Sequence, residues 1–552
     1  MVEKQMALLR TFFRETFMLG KWFCVLWIAV CCLSAAAADP KSKAVYDAGD
    51  RVQLFVDRSV IDQVQRLTFT QHPGKEDPKN PILVADQPWE GWRLSLFGDV
   101  LWDEQEQLFK MWYRTNYVTQ PDYPKNEPMT HVMYATSRDG IVWDKPLIGS
   151  TNRDGKKINN MISGPGLIDS PSVFKDLKDP DPQRRYKMIA FLVYPKNAEN
   201  PLGRRRGYHL LTSPDGFQWK AVADRPFAPH WDVINAVWDP YRRLYIASFK
   251  HHTEEWMGHK RRLFYTTTSS DFMNWSKPVL TWTVDKRDDE TSIQRLDEVR
   301  AMLDVPDDPA LMRTEYYGIS FYPHDKSLTL AFPQIFTVNN NARYGNQEGV
   351  NEIQLAFSRD LHKWQRPFRT PILVRGPKPQ DWNSGWYSTA CHALRVGDEV
   401  RLYYAGSNYL HGTPALYRLR NPKTGEKYGR GTKYTGAIGL ATWQLDRFVS
   451  VDASDASGTL TTVPLRIQGD RLLINARTKK SGSITVEICD DQGQPIAGFK
   501  KSDPVQGDHI RHAITFEGQP DLSGLATGPV VLRFSINDAE LFSFGFKSVE
   551  AK

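Results

Sequence analysis

A unit made of a strand, an aspartate turn and a tryptophan recurs along this chain, and it restricts the fold more than any other feature. Its clearest copy is Tyr134-Ala-Thr-Ser-Arg-Asp-Gly-Ile-Val-Trp-Asp-Lys-Pro146. The Asp-Gly pair predicts a tight turn between two short strands. The pattern returns at Leu211–Trp219, Tyr265–Pro278 and Leu355–Pro367, and in decayed form at Leu440–Ser450, where Asp446 stands at the turn and Phe448 near the tryptophan position. Copies lie about 55 to 90 residues apart, the length of one propeller blade with its insertions. Upstream of each copy are further apolar strands, among them Phe109–Tyr113, Tyr186–Phe191, Leu244–Phe249, Leu328–Phe332 and Val400–Tyr404. Five copies predict an all-β, five-bladed β-propeller in which Trp143, Trp219, Trp275 and Trp364 pack between blades rather than touch a ligand.

At 552 residues the chain is too long for one compact unit. From Gly458 the texture changes to short alternating strands between Gly, Asp and Pro turns, such as Arg471–Asn475, Ser483–Glu487, Val530–Phe534 and Leu541–Phe544. That predicts a C-terminal β-sandwich. The expected organisation is 1–38 leader, 39–93 leading strands and a loop into blade one, 94–455 propeller, and 456–552 sandwich. The charged interval Thr281–Thr314 is expected to be a long loop or short helix on one face.

The N-terminus has the form of a secretory signal. Lys4, Arg10, Arg14 and Lys21 precede the apolar run Trp22–Leu33, and small residues lead to a break after Ala38. The run is short for a membrane span, so the expectation is a secreted or periplasmic protein with no stable span once the signal is cleaved. Cleavage would remove Cys24, Cys31 and Cys32 and leave Cys391 and Cys489, too few for a disulfide framework. The net charge of +7 is spread among acids, with no basic block interleaved with aromatics, so nucleic acid is not an expected partner. No cofactor is expected and no spacing of His and carboxylates specifies a metal, although a structural calcium stays open.

A five-bladed propeller followed by a sandwich resembles the glycoside hydrolase families 32, 43 and 68, the invertases, arabinanases, xylosidases and levansucrases. The resemblance implies a carbohydrate substrate and three carboxylates at the starts of the innermost strands of blades one to three: nucleophile or base, stabiliser, and acid. Glycosidic cleavage needs an acid at the leaving oxygen and a base or nucleophile across the anomeric carbon. Ile168-Asp169-Ser170-Pro171 resembles the stabiliser motif, and Trp231-Asp232-Val233 the acid motif with Asp for Glu. Blade one departs from the pattern, because Leu96 stands where the nucleophile belongs. Asp99 and Glu90 are the nearest acids. Glu90, between Trp89 and Trp92, is the expected substitute, and Glu315 of blade four a second source of a base. Trp89, Trp92, Asn408, His411 and His251 are the expected sugar contacts. The alternatives are a propeller that binds glycans without cleaving them and a glycoside phosphorylase, which would need basic residues such as Arg93, Arg114 or Arg138 beside the acids.

Overall fold

The computed structural model describes residues 44–548, apart from 92, 117–129, 152–156, 195–205, 229–231, 251–253, 342–345, 413–434, 455 and 526–527. The leader and its cleavage site lie outside them. Among the described residues no helix is long and apolar enough to cross a membrane.

The molecule is mostly β. Five antiparallel meanders follow one another, opening with Arg93–Asp103, Leu167–Lys175, Ile234–Asp239, Arg313–Asp325 and Tyr387–Thr389. Each opening strand touches the next, and the fifth touches the first, so the set closes into a ring. Within their sheets, and apart from one parallel bridge between Arg93 and Gly436, opening strands have a ladder partner on one side only, which leaves the other edge in need of hydrogen bonds. Cross-links between neighbours supply them. Asp99 Oδ2 accepts from Val173 N at 2.9 Å, Ser172 Oγ from Ala236 N at 2.9 Å, and Asn235 Oδ1 from Ile319 N at 3.0 Å. Phe321 N donates to Cys391 O at 2.9 Å, and Cys391 N to Gly98 O at 3.1 Å. Cys391 is buried and unpaired, with its sulfur 3.0 Å from Ser172 Oγ. Cys489 is also buried and free, as the sequence suggested.

The repeated turns share one construction. Ser137, Ser213, Ser269 and Ser358 each donate a hydroxyl to the aspartate two residues on, at 2.9 to 3.2 Å. That aspartate accepts two backbone amides further along, at 2.8 to 3.0 Å. The residue after it is left-handed: Gly140 and Gly216 at φ 76° and 82°, Phe272 and Leu361 at 69° and 64°. Glycine takes that conformation freely, whereas Phe and Leu do so at a steric cost. Phe272 is fully buried and packs against Phe174 and Tyr245, which holds it there. The tryptophans pack as expected: Trp364 stacks on Trp282 at 4.3 Å, and Trp143 meets Tyr403 edge-on at 5.9 Å. In the decayed fifth copy Asp446 instead accepts from His324 Nε2 at 3.0 Å, while Asp325 lies 3.2 Å from Nδ1. Burial opposes the imidazolium, but the two carboxylates raise the His324 pKa to about 9.

Two boundaries differ from expectation. The leading strands do not run into the first meander. Ile61–Gln65 pairs with Gly458–Thr462, Thr68–Gln71 with Val449–Ala453, and Gln53–Leu54 with Ser543 and Phe544. Residues 53–71 and 449–453 therefore belong to the C-terminal sheet, Tyr46–Gly49 pairs beside it with Leu465–Ile467, and the chain first enters the ring at Lys75–Glu76, which pairs with Ala441 and Thr442 in the fifth meander. Glu76 secures this clasp by accepting from Asn383 Nδ2 and Tyr404 OH, both at 2.8 Å. The sequence could not reveal these partners because pairing across hundreds of residues leaves no local signal.

The short C-terminal strands also merge. Arg471–Cys489 is one strand and Val531–Lys547 another, paired along their length with a register break between Thr478 and Ser483. Leu472, Ile474 and Ala476 before the break, and Ile484, Val486 and Ile488 after it, feed one core. That core is continuous with Phe332, Leu402, Trp443 and Phe448 of the ring. Thr281–Thr314 contains two short helices, Lys286–Glu290 and Ser292–Asp297, the first closed by a reciprocal Asp285–Asp288 capping box.

Candidate functional site

Charged side chains gather where the opening strands begin. Asp169 is the third residue of its strand and is 8% exposed. Arg114 Nη1, on the neighbouring meander, lies 3.2 Å from its Oδ1. Asp232 comes two residues before Ile234 and pairs with Lys250, at the end of the adjacent strand. Arg262 pairs with Glu315 and donates to Gln347 Oε1 at 2.7 Å. Tyr317 lies among them, with Lys250 Nζ 5.0 Å and Arg262 5.5 Å from its ring centre.

The electrostatics of the two aspartates diverge. Burial pushes the Asp169 carboxyl above the ordinary carboxylate range; Arg114 opposes this and the negative charge of Asp232 adds to it. Burial also acts upward on Asp232, but Lys250, with Arg114 and Arg262 behind it, outweighs it and holds the carboxyl below that range. Opposite shifts in two neighbouring acids are the arrangement that separates a proton donor from a proton acceptor.

His411 completes the wall. Its Nδ1 lies 2.6 Å from Gln347 O, which can only accept, so Nδ1 carries the proton and Nε2 accepts from Tyr317 OH at 3.1 Å. Burial, with Arg262 adding to it, lowers its pKa to about 3, so the ring is neutral. Tyr317, Phe336 and Trp386 pack around it at 4.8 to 5.1 Å between ring centres.

Among the described residues the first meander supplies no acid here. Its opening strand bulges between Ser95 and Asp99, which face Arg114 and Trp112. The bulge needs Gly98, where a Cβ would lie 2.0 Å from the Trp112 carbonyl oxygen. It presents Phe97 to Arg114 and Tyr317, with ring-centre distances of 5.8 and 6.1 Å. Counting back from Asp103 misses this because a bulge changes the register without altering composition.

Several expected site residues are committed elsewhere. Glu90 is fully buried: Oε1 accepts from Tyr113 OH at 2.5 Å, and Oε2 takes the amides of Asp86 and Gln87 at 3.0 Å and Lys145 Nζ at 2.7 Å. It holds a loop against the first meander and has no oxygen left for a base's work. Trp89 donates to Asn160 Oδ1 at 2.7 Å and packs beside that meander's core, not at the mouth. Glu315 is fully buried between Arg262 and Arg313, the latter at 2.6 Å, so it is a counter-ion and not a free base. Asn408 is 2% exposed and accepts Thr435 N at 2.9 Å. Asp99 is buried inside the ring, 3.0 Å from His392 Nδ1. Trp92 and His251 lie outside the described residues. Of the basic candidates only Arg114 stands beside the acids; Arg93 pairs with Tyr409, and Arg138 is exposed on a repeated turn.

Lys250, Arg262, Tyr317, Phe97 and Trp386 were not expected. Lys250 had a visible signal, a lysine closing the apolar strand Leu244–Lys250. Arg262 and Phe97 had none, since their positions depend on an inserted hairpin, Glu254–Trp256 with His259–Arg261, and on the bulge.

No family profile matches the chain, and no curated protein does. Among solved structures it is similar to a β-1,2-mannobiose phosphorylase from Listeria innocua, at 12% identity over 68% of this chain and 97% of that one, TM-score 0.39. It is similar to an N-acetylgalactosamine deacetylase from F. plautii at 13% identity, covering 74% and 96%, TM-score 0.36. A family 32 β-fructofuranosidase of Bombyx mori follows at 10% identity, covering 86% and 95%, TM-score 0.35. At these scores the likenesses carry no argument about chemistry.

Proposed function

We propose that the five meanders are blades of a five-bladed β-propeller, that the C-terminal sheet is a β-sandwich, and that the protein is a carbohydrate-active enzyme cleaving a glycosidic bond at the propeller mouth. One observation carries the reading: Asp169, paired with Arg114, and Asp232, paired with Lys250, stand where two neighbouring opening strands begin, close enough for the charge of Asp232 to act on Asp169. Asp169, whose burial favours the protonated form, donates to the leaving oxygen. Asp232, kept ionised by Lys250, serves as base or nucleophile. The family resemblance implied Asp232 as the acid and Asp169 as the stabiliser; this reading moves the acid to Asp169 and makes Asp232 the base or nucleophile. Glu90 and Glu315 have no part in them. Tyr317, Trp386 and Phe97 offer apolar faces to a sugar, and neutral His411 holds Tyr317 in place. The basic leader supports export, with a mature N-terminus near Asp39.

Phosphorolysis is the second reading, and the charge count favours it. Among the described residues, Asp169, Asp232 and Glu315 stand with four cations, Arg114, Lys250, Arg262 and Arg313, one positive charge more than the acids even when all are ionised. Phosphate would then be the nucleophile, and the protein need supply only the acid.

The test is to incubate the mature protein with a panel of oligosaccharides, with and without inorganic phosphate, and to identify the products. Free sugar without phosphate, lost by a hundredfold or more in Asp169→Asn, supports hydrolysis. Sugar 1-phosphate formed only with phosphate supports phosphorolysis. Glycan binding by calorimetry without turnover in either condition makes the protein a binding module and sinks both enzyme readings.

A further inference from the structure

A second cluster lies far from the mouth, on the C-terminal sheet. His72 follows the strand Thr68–Gln71, and its amide donates to Phe448 O at 2.9 Å. Asp452 and Glu540 are direct partners across paired strands. One ring nitrogen of His72 and one oxygen from each acid all lie within 4.8 Å of one another. Like charges opposite each other in a sheet repel, so the pair is costly unless a cation sits between them.

The neighbours meet that need only in part. Arg477 reaches Glu540 Oε2 at 2.5 Å and leaves Oε1. Asp452 Oδ1 is shielded from solvent and has no hydrogen-bond partner. Ser450 Oγ, 2.6 Å from His72 Nε2, and the Phe542 ring, 5.2 Å away, fix the plane of the imidazole.

We infer that His72, Asp452 and Glu540 form a structural site for one divalent transition-metal ion of the Zn2+ class. One nitrogen and two carboxylate oxygens suit such an ion, with water completing the shell, and small side-chain movements would bring each donor to about 2.1 Å from it. The site joins the N-terminal strand to two C-terminal strands only a few residues before the Lys75–Glu76 clasp. Its role is therefore to hold the segment that closes the ring.

The experiment titrates Zn2+, and separately Ca2+, into EDTA-treated full-length mature protein, following binding by calorimetry and unfolding by thermal melt. The expected result is one equivalent of Zn2+, with a melting temperature raised by about 2 °C or more at a hundredfold excess over Kd. His72→Ala should weaken binding at least tenfold. Asp452→Asn, which keeps the side-chain shape, serves if that variant fails to fold. The half-buried pair His509 and His512, with rings 4.6 Å apart, is the control. Zn2+ binding that survives both site variants, or that disappears in His509→Ala/His512→Ala, overturns the inference. So does the absence of any stoichiometric binding, or a preference for Ca2+.

Discussion

Aspartates at the rim of the ring and aspartates at its mouth are the same residue put to opposite uses. At the rim, Asp139, Asp215, Asp271 and Asp360 each accept a serine hydroxyl and two backbone amides. For Asp271 the Asn274 amide and side chain hold the pKa at about 2. Such a carboxylate is fixed in one charge state and one position, which suits a turn. At the mouth, Asp169 and Asp232 are governed mainly by burial and by the cations of long side chains. On the proposed reading, a bound sugar would shift that balance. The difference shows that partners decide whether an acid is scaffold or reagent, and that backbone amides mark the scaffold.

Four perturbations would break or sharpen this contrast. The largest effect is expected at the mouth: Asp232→Asn should lower turnover a hundredfold or more with the melting temperature nearly unchanged. Lys250→Met should move the acid limb of the pH–rate profile to higher pH, because loss of the cation raises the Asp232 pKa and the base then protonates earlier. A profile that does not move would dissociate Lys250 from the chemistry. Glu90→Gln comes next. It belongs with the scaffold acids, so it should cost about 2 kcal/mol of stability by weakening the hold on buried Lys145 and Tyr113, with kcat per folded molecule kept. Lost turnover at full stability would return Glu90 to the mouth. The smallest effect is expected for Asp215→Ala, about 1 kcal/mol in a denaturant melt, the scale of a lost cap, and no kinetic change.

The sequence disclosed the rim far better than the mouth. Ser-x-Asp followed by tryptophan is a local pattern, and local hydrogen bonds produce it, so four turns could be found by eye. The positions of Asp169 and Asp232 were legible because they precede matched strand ends at equal spacing. Their electrostatics were not, because Arg114, Lys250 and Arg262 come from other strands. Glu90 misled for the same reason: two flanking tryptophans suggested a sugar platform, while Tyr113 and Lys145, which define its environment, are remote in sequence. The leading strands were recognised as strands but given no partner, since alternation reveals a strand and says nothing of what it pairs with.

The pairing of residues 46–71 with the last hundred residues sets a schedule for assembly. Gln53 and Leu54 find their partners only at Ser543 and Phe544, and Ile61–Gln65 only at Gly458–Thr462. During synthesis the first strands must wait, unpaired, until almost the whole chain has emerged, while the intervening meanders can form one after another. The clasp at Lys75–Glu76 is then set late, by a segment that was made first. A chain cut before Val531–Lys547 would thus leave Gln53–Leu54 and Gly458–Thr462, far apart in sequence, as open and adhesive edges.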